Sequence, residues 1–167
     1  MSINQDQFKS ILGHFPAGVT VVTIAADEVV HGCTVSAFSS ISVEPPLIMV
    51  AINRESRSGQ LLHQPGATFA VNILANEQTD ISNQFAWVKT DNKFELGEWG
   101  TAVTKAPILT NALAWLDCTI HSTHDAGTHT LFIGKVEACQ LVRPDQAPLV
   151  YWNRDYRALQ LAEALAV

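Results

Sequence analysis

Thr34-Val-Ser-Ala-Phe-Ser-Ser-Ile-Ser-Val-Glu-Pro-Pro46 sets hydroxyl side chains at Thr34, Ser36, Ser39, Ser40 and Ser42 among small apolar residues and stops at two prolines. A strand that only filled a core would carry more Val, Ile and Leu. Short side chains let a flat polar ligand approach the backbone, and each hydroxyl both donates and accepts. A Ser-rich strand whose hydroxyls bond their own backbone fits the segment equally well.

Working outward, Val19 to Ala25 is rich in β-branched residues and reads as a strand, with a hairpin at Asp27-Glu28 leading into 29–38. Leu47 to Ile52 is a short continuous apolar run, the pattern of a buried central strand. Thr68 to Ile73 is a further strand. Leu113 to His121 alternates, with Leu116, Cys118 and Ile120 on one face and Asp117, Thr119 and His121 on the other. Thr130 to Leu141 is a second long alternating strand, and Ala126-Gly127-Thr128 is the expected turn between the two.

Helices are expected at four places. Phe8, Ile11, Leu12 and Phe15 follow helical spacing over residues 4–15, with Asn4 or Asp6 as cap. Ser56 to Gln64 reads as a short helix and Glu77 to Trp87 as another, with Ile81 and Phe85 at i, i+4. From Asp155 the chain reads as a terminal amphipathic helix with Leu159, Leu161 and Leu165. Residues 88–108 are polar and irregular and read as a long functional loop. Regular strand–helix alternation is absent. The expectation is a mainly β fold: one domain over residues 1–167, an antiparallel barrel with peripheral helices, closed to remove edge strands.

Composition narrows the function. At 167 residues, 47% hydrophobic and 16% charged, the chain can build its own core. A net charge of −6 without a basic run argues against nucleic acid. Cys33, Cys118 and Cys139 are far apart and form no disulfide framework or zinc site; free, mostly buried thiols in a reducing cytoplasm are expected. His121 and His124 differ by an odd number and do not chelate a metal from one strand face. The N-terminus has no basic segment or long apolar run, so neither a signal peptide nor a membrane span is expected. G-x-G-x-x-G, Walker and Gly-x-Ser-x-Gly motifs are absent.

Asn53 to Gly59 enters a helix with Ser56, Arg57 and Ser58 in its first turn. Free N–H groups and an Arg there suit a phosphate, although an ordinary capped helix would look the same. His129 opens a strand directly after a turn, where an imidazole can reach a ligand or cap the turn. Tyr151 to Tyr156 clusters aromatic rings with Arg154, for stacking on a heteroaromatic ring or for anchoring a terminal helix. Trp87 and Trp99 flank the 88–108 loop, to line a pocket, cover a partner or plug the barrel.

In order along the chain, Phe15-Pro-Ala-Gly-Val-Thr-Val-Val-Thr23, the Thr34–Ser42 segment with Glu44-Pro-Pro46, Val71-Asn-Ile-Leu74 with Gln78, Phe85-Ala86, Lys93-Phe94, Gly127-Thr-His129, Ile133-Gly134 and Leu149 to Tyr156 resemble the flavin reductase family of the FMN-binding split-barrel fold. The resemblance runs from about Phe8 to Leu159. It implies a homodimer with flavin near the subunit interface, using NADH or NADPH to reduce FMN or FAD. It also implies a partner oxygenase, since many such proteins are reductase components of two-component monooxygenases.

The same resemblance assigns roles. Thr34, Val35, Ser36 and Ala37 line the isoalloxazine, and Ser39 and Ser40 hold the ribityl or phosphate end. Ala51 to Asn53 run beside the ring. Ser56, Arg57 and Ser58 take the phosphate, and Phe85, Ala86 and Lys93 lie next to the flavin tail. His129 borders the nicotinamide side with Arg154 and Tyr156. Many members carry Gly-Asp-His where this chain has Gly127-Thr128-His129, so any role of that Asp does not transfer. A tight FMN carrier of the same fold is the alternative function. A barrel holding another ligand is disfavoured by the hydroxyl strand.

Overall fold

The computed structural model describes residues 3–89 and 92–159. In chain order the elements are α1 (Gln5–Gly13), β1 (Ala17–Gly18), β2 (Thr20–Ala26), β3 (Val29–Val35), β4 (Phe38–Ser42), β5 (Leu47–Asn53), α2 (Arg57–Leu62) and β6 (Thr68–Ile73). Then follow α3 (Thr79–Trp87), a 3₁₀ turn (Asn92–Glu95), β7 (Trp99–Gly100), β8 (Ile108–Leu109), β9 (Ala114–Ala126), β10 (His129–Leu141), β11 (Leu149–Trp152) and β12 (Asp155–Ala158).

Seven strands form one antiparallel sheet in the order β3-β2-β6-β9-β10-β5-β4. Its two edge strands, β3 and β4, are consecutive in the chain and joined only by Ser36 and Ala37. The sheet therefore curls until its edges meet at one corner. Ala51 N–H donates to the Ala37 carbonyl there at 3.0 Å. This is the expected barrel, closed at a corner and split along β3 and β4.

β2 runs through the middle of the core, with every residue buried as its β-branched composition predicts. Val22, Ile24, Val50, Ile52, Phe69 and Phe132 fill the barrel. A side chain at Gly134 would overlap the Phe69 ring, so this glycine makes room for it. A second cluster, built on Val21, Leu74, Phe85, Leu109 and Leu149, lies under α3. The three-stranded sheet β1-β11-β12 stands beside it.

Several expectations change. The terminal helix read from Asp155 is wrong at its start: Asp155–Ala158 pairs with β11 as a strand, and Leu161 and Leu165 lie outside the described residues. The cause is the Asn153-Arg154 turn, which reverses the chain so that Tyr156 pairs with Tyr151. β5 is not continuously buried; Ile48, Val50 and Ile52 face the core while Leu47, Met49 and Ala51 are half-buried, so the apolar run covers a two-sided strand. The 88–108 segment is partly built: Phe94 and Trp99 pack on Phe85 with centroids 5.2 and 5.3 Å away. Asp117, on the face opposite Leu116 and Cys118, is fully buried. Its carboxylate accepts from Val103 N–H at 2.8 Å, Thr104 N–H at 2.7 Å and the Thr104 hydroxyl, so the loop covers its face. All three cysteines are free, but only Cys118 is buried; Cys139 is exposed. No described helix is long and apolar enough to cross a membrane.

The helix at 4–15 forms as read, with the Asn4 side chain accepting from Asp6 and Gln7 N–H. Its apolar face does not pack, and no residue of α1 is buried.

Removing Asp117 takes away the buried acceptor of the Val103 and Thr104 N–H groups and of the Thr104 hydroxyl. Asp117→Ala is expected to lower unfolding free energy by about 3 kcal/mol, measured by urea titration; a change below about 1 kcal/mol would show that the loop is not held by this carboxylate.

Candidate functional site

The corner where the sheet edges meet opens as a cleft of about 320 Å³. β3 and the corner contribute Thr34, Val35, Ser36 and Ala37. β5 contributes Ala51 and Asn53, the following turn Ser56, and the start of β10 His129. Ala51 and Ala37 keep the cleft wide because neither carries more than a methyl group. These expected residues do come together. Cys33 also lines the cleft and was missed, because one thiol between Gly32 and Thr34 looks like strand filler in the sequence.

The turn at one end is tightly made. Asn53 Oδ1 accepts from Glu55 N–H at 2.9 Å. Ser56 Oγ donates to the Asn53 carbonyl at 2.6 Å and accepts from Gly59 N–H at 3.1 Å, which is the helix cap. α2 has only six residues, so its dipole adds little. Arg57 is exposed and does not line the cleft. Ser58 is buried and hydrogen-bonds the Cys33 thiol from behind.

Lys93 is a buried cation. Its Nζ donates to the Gly32 and Phe85 carbonyls, both at 3.1 Å. Burial lowers its pKa, with Cys33 opposing and the like charge of Arg57 adding to the shift. Partial desolvation of the half-buried Cys33 raises its pKa, so this thiol stays protonated beside the ammonium. Phe85 is core, not cleft: it is 1% exposed and its ring lies where a side chain at Gly32 would be.

His129 sits at the opposite wall. It pairs with Asn53 across β10 and β5, and its Nδ1 lies 2.9 Å from the Thr128 hydroxyl. Arg54 ties this hairpin to the turn: its N–H donates to the Thr128 carbonyl at 3.1 Å, and its guanidinium meets Asp125 at 3.1 Å and the Gly127 carbonyl. Thr128, in the place of the family's commoner Asp, orients the imidazole without a charge beside it.

Arg154, Tyr156 and Ala86 do not share the cleft with His129. They line a second cleft of about 310 Å³, which has Thr34 and Ser36 in common with the first. Thr34 Oγ1 donates to the Ser82 carbonyl at 2.6 Å, so its donor faces the helix rather than a ligand. Ser39 and Ser40 lie on β4 opposite Met49 and Ile48, about 13 and about 17 Å along the strand from Asn53. Ser39 Oγ donates to the Ser40 carbonyl at 3.2 Å, and neither serine lines a described cleft beside the turn. Among the described residues no cluster of His, Cys, Asp and Glu is arranged to hold a metal.

Comparison with known proteins places this geometry. The family model described as a flavin reductase like domain matches residues 12–160. The chain is 35% identical over 161 residues to "Flavin-dependent monooxygenase, reductase subunit HsaB" of Mycobacterium tuberculosis, covering 95% of this chain and 84% of that protein. It is 37% identical over 156 residues to "NADH-dependent flavin reductase" of Rhodococcus sp, covering 92% and 85%. The structure of Streptomyces globisporus NADH:FAD oxidoreductase SgcE6 with NAD and FAD fragments superposes with a TM-score of 0.86 at 29% identity, covering 95% of this chain and 94% of that one.

A side chain at Gly59 would overlap the Asn53 carbonyl oxygen and crowd the Arg54 backbone. Backbone cannot swing aside as a side-chain tip can. Gly59→Ala is therefore expected to lower stability by about 2 kcal/mol and to loosen the 53–56 turn; an unchanged melting temperature would show that the turn tolerates the displacement.

Proposed function

The chain belongs to the family of flavin reductase-like domains, and from that premise we propose that it is an NAD(P)H:flavin oxidoreductase acting on FMN or FAD. The flavin, when bound, supplies the acceptor N5 for hydride from nicotinamide C4. The observation that carries this reading is the small-residue cleft at the barrel corner, with the buried Lys93 cation behind one wall. The cleft fits a flat ring: Ser36, Ala37 and Ala51 present backbone and short side chains to it. A buried ammonium near a second cation is the arrangement that an anionic ligand relieves.

In this reading Thr34, Val35, Ser36 and Ala37 line the isoalloxazine, and Ala51 and Asn53 run beside it. Ser56 marks the phosphate end, where Lys93 and Arg57 contribute charge through the cleft wall. Ser58 and Phe85 act from behind, by holding Cys33 and packing on Gly32. Ser39 and Ser40 lie outside this cleft, farther along β4. His129 borders the donor side, and stacking the two rings at reacting distance is the main catalytic contribution.

A single domain supports this activity, since the family match spans residues 12–160. A homodimer goes with it: Phe8, Ile11, Leu12 and Phe15 on α1 are 51%, 63%, 54% and 76% exposed, an apolar face that calls for a cover. Reduced flavin as a released product calls for a consuming protein, and a partner oxygenase is proposed on the name of the HsaB relative. A cytoplasmic setting suits free thiols and nicotinamide supply.

The test is anaerobic oxidation of NADH and of NADPH, with and without FMN. Nicotinamide oxidation that requires flavin and bleaches it is expected; flavin binding without nicotinamide oxidation would indicate a carrier instead. His129→Ala is expected to lower kcat at least tenfold while FMN affinity moves less than threefold, as steady-state kinetics and a fluorescence titration would show.

FMN affinity should also fall as pH rises through the Lys93 pKa, which burial holds below the usual lysine range. The sign follows because the ammonium attracts the phosphate and the neutral amine does not. In Lys93→Met that pH dependence should vanish and FMN should bind about tenfold more weakly. A slope that survives the substitution would remove Lys93 from the phosphate end.

A further inference from the structure

We propose that Arg54 is a positioning residue for hydride transfer: it holds the hairpin tip that carries His129 against the turn at the flavin phosphate end. The proposal rests on the flavin reductase reading and on the donor-side place of His129 within it. It adds the residue through which the two ends of the cleft keep one spacing.

The hairpin needs such a tie because half of it has few neighbours. β9 and β10 are each 13 residues long. β6 pairs with β9 only over residues 114–119. Among the described residues no strand pairs with residues 120–126 on that outer edge. The β9–β10 ladder also shifts register there: Ser122 faces Ile133 and Ile120 faces Gly134, so His121 is an extra residue on β9. A bulge of this kind bends its strand and leaves one residue unpaired. On the other side the tip is held by β5, whose last residue, Asn53, pairs with His129.

Arg54 is the next residue after Asn53, and it reaches the tip in three places. Its backbone N–H donates to the Thr128 carbonyl at 3.1 Å. Its Nη1 is ion-paired with Asp125 at 3.1 Å, and its Nη2 donates to the Gly127 carbonyl. Asp125 and Gly127 flank Ala126, the residue that faces His129 from β9. The guanidinium therefore brackets the cross-strand pair of His129. Both chain neighbours of the imidazole are tied into the same contacts. Thr128 is fixed by its carbonyl, and its hydroxyl lies 2.9 Å from His129 Nδ1. The Thr130 hydroxyl donates to Asp125 Oδ1 at 3.3 Å. The backbone bond of residue 54 is independent of its side chain, but the other two contacts need a planar fork that serves two acceptors at once.

These contacts are too exposed to act through folding stability. The Arg54 and Asp125 side chains are 41% and 68% exposed, and such pairs add little to it. Arg54 does not line the flavin cleft either. What it sets is the place of the imidazole, and a displacement of about 1 Å near the reacting groups costs up to about a hundredfold in rate.

The experiment is anaerobic single-turnover reduction of bound FMN by saturating NADH, read as flavin bleaching, in wild type, Arg54→Met, His129→Ala and the double variant. Arg54→Met should slow bleaching about tenfold, with the melting temperature unchanged and the FMN Kd within about threefold of wild type. Asp125→Ala should slow it by a smaller factor, because the Gly127 contact of Arg54 survives. The double variant should be no slower than His129→Ala alone, because Arg54 acts through that imidazole. Fully additive losses in the double variant overturn the proposal, as does an FMN affinity that falls as far as the rate, which would make Arg54 a phosphate ligand. If NADH reduces wild type and Arg54→Met equally fast, the positioning role fails and the reductase reading stands. If NADH does not reduce wild type, the reading fails and the proposal with it.

Discussion

Two residues join the two edges of one seven-stranded sheet, and the site depends on that constraint. Ser36 and Ala37 are too short a link to let β3 and β4 lie apart, so the sheet must curl until its edges meet. The hydrogen bond from Ala51 to the Ala37 carbonyl pins the corner. The backbone on either side is left open to a ligand because an edge has unpaired groups that no neighbouring strand takes. Small side chains are required at the corner for the same reason, since bulk there would fill the cleft.

Electrostatics follow from where the corner falls. Lys93 reaches it from the segment after α3 and ends on the Gly32 carbonyl, one residue before Cys33. An ammonium out of water needs either several oxygen partners or an anion nearby. Two carbonyls meet part of that need. On the opposite wall the contacts are different in kind: Arg54, Asp125 and the Gly127 and Thr128 carbonyls lock the hairpin that carries His129 to the 53–56 turn. The exposed ion pair by itself is weak. Its effect is geometric, because three contacts from one residue hold the turn and the hairpin tip in register.

The elements were legible where periodicity was strong. β2, β6, β9 and β10 carry β-branched or alternating patterns, and the Ser56 cap and the 127–129 turn follow from local chemistry. Reading failed where a local pattern competed with pairing elsewhere. Asp155 to Ala158 looks helical in isolation, yet the Asn153-Arg154 turn folds it onto β11. Asp117 alternates onto the face opposite Cys118, and a loop from residues 103–104 covers that face, which the strand pattern alone does not show. The α1 stripe has core spacing and no core beneath it. Within the site, Thr34 to Ala37, Asn53, Ser56 and His129 were named and do converge. Ser39 and Ser40 were named with them because they share the hydroxyl run, but β4 carries them away from the turn.

By itself, then, the chain's sequence determined the long strands of the main sheet, the barrel class, the family and the residue types at the corner. These are local or near-local properties, written in side-chain period, β-branching and turn chemistry. Tertiary structure alone decided that Lys93 is a buried cation behind the cleft, that Cys33 lines it, and that His129 and Arg154 belong to two clefts rather than one. Those facts depend on which strands become neighbours when the sheet curls, and residues far apart in the chain acquire a common wall only once that curvature is set.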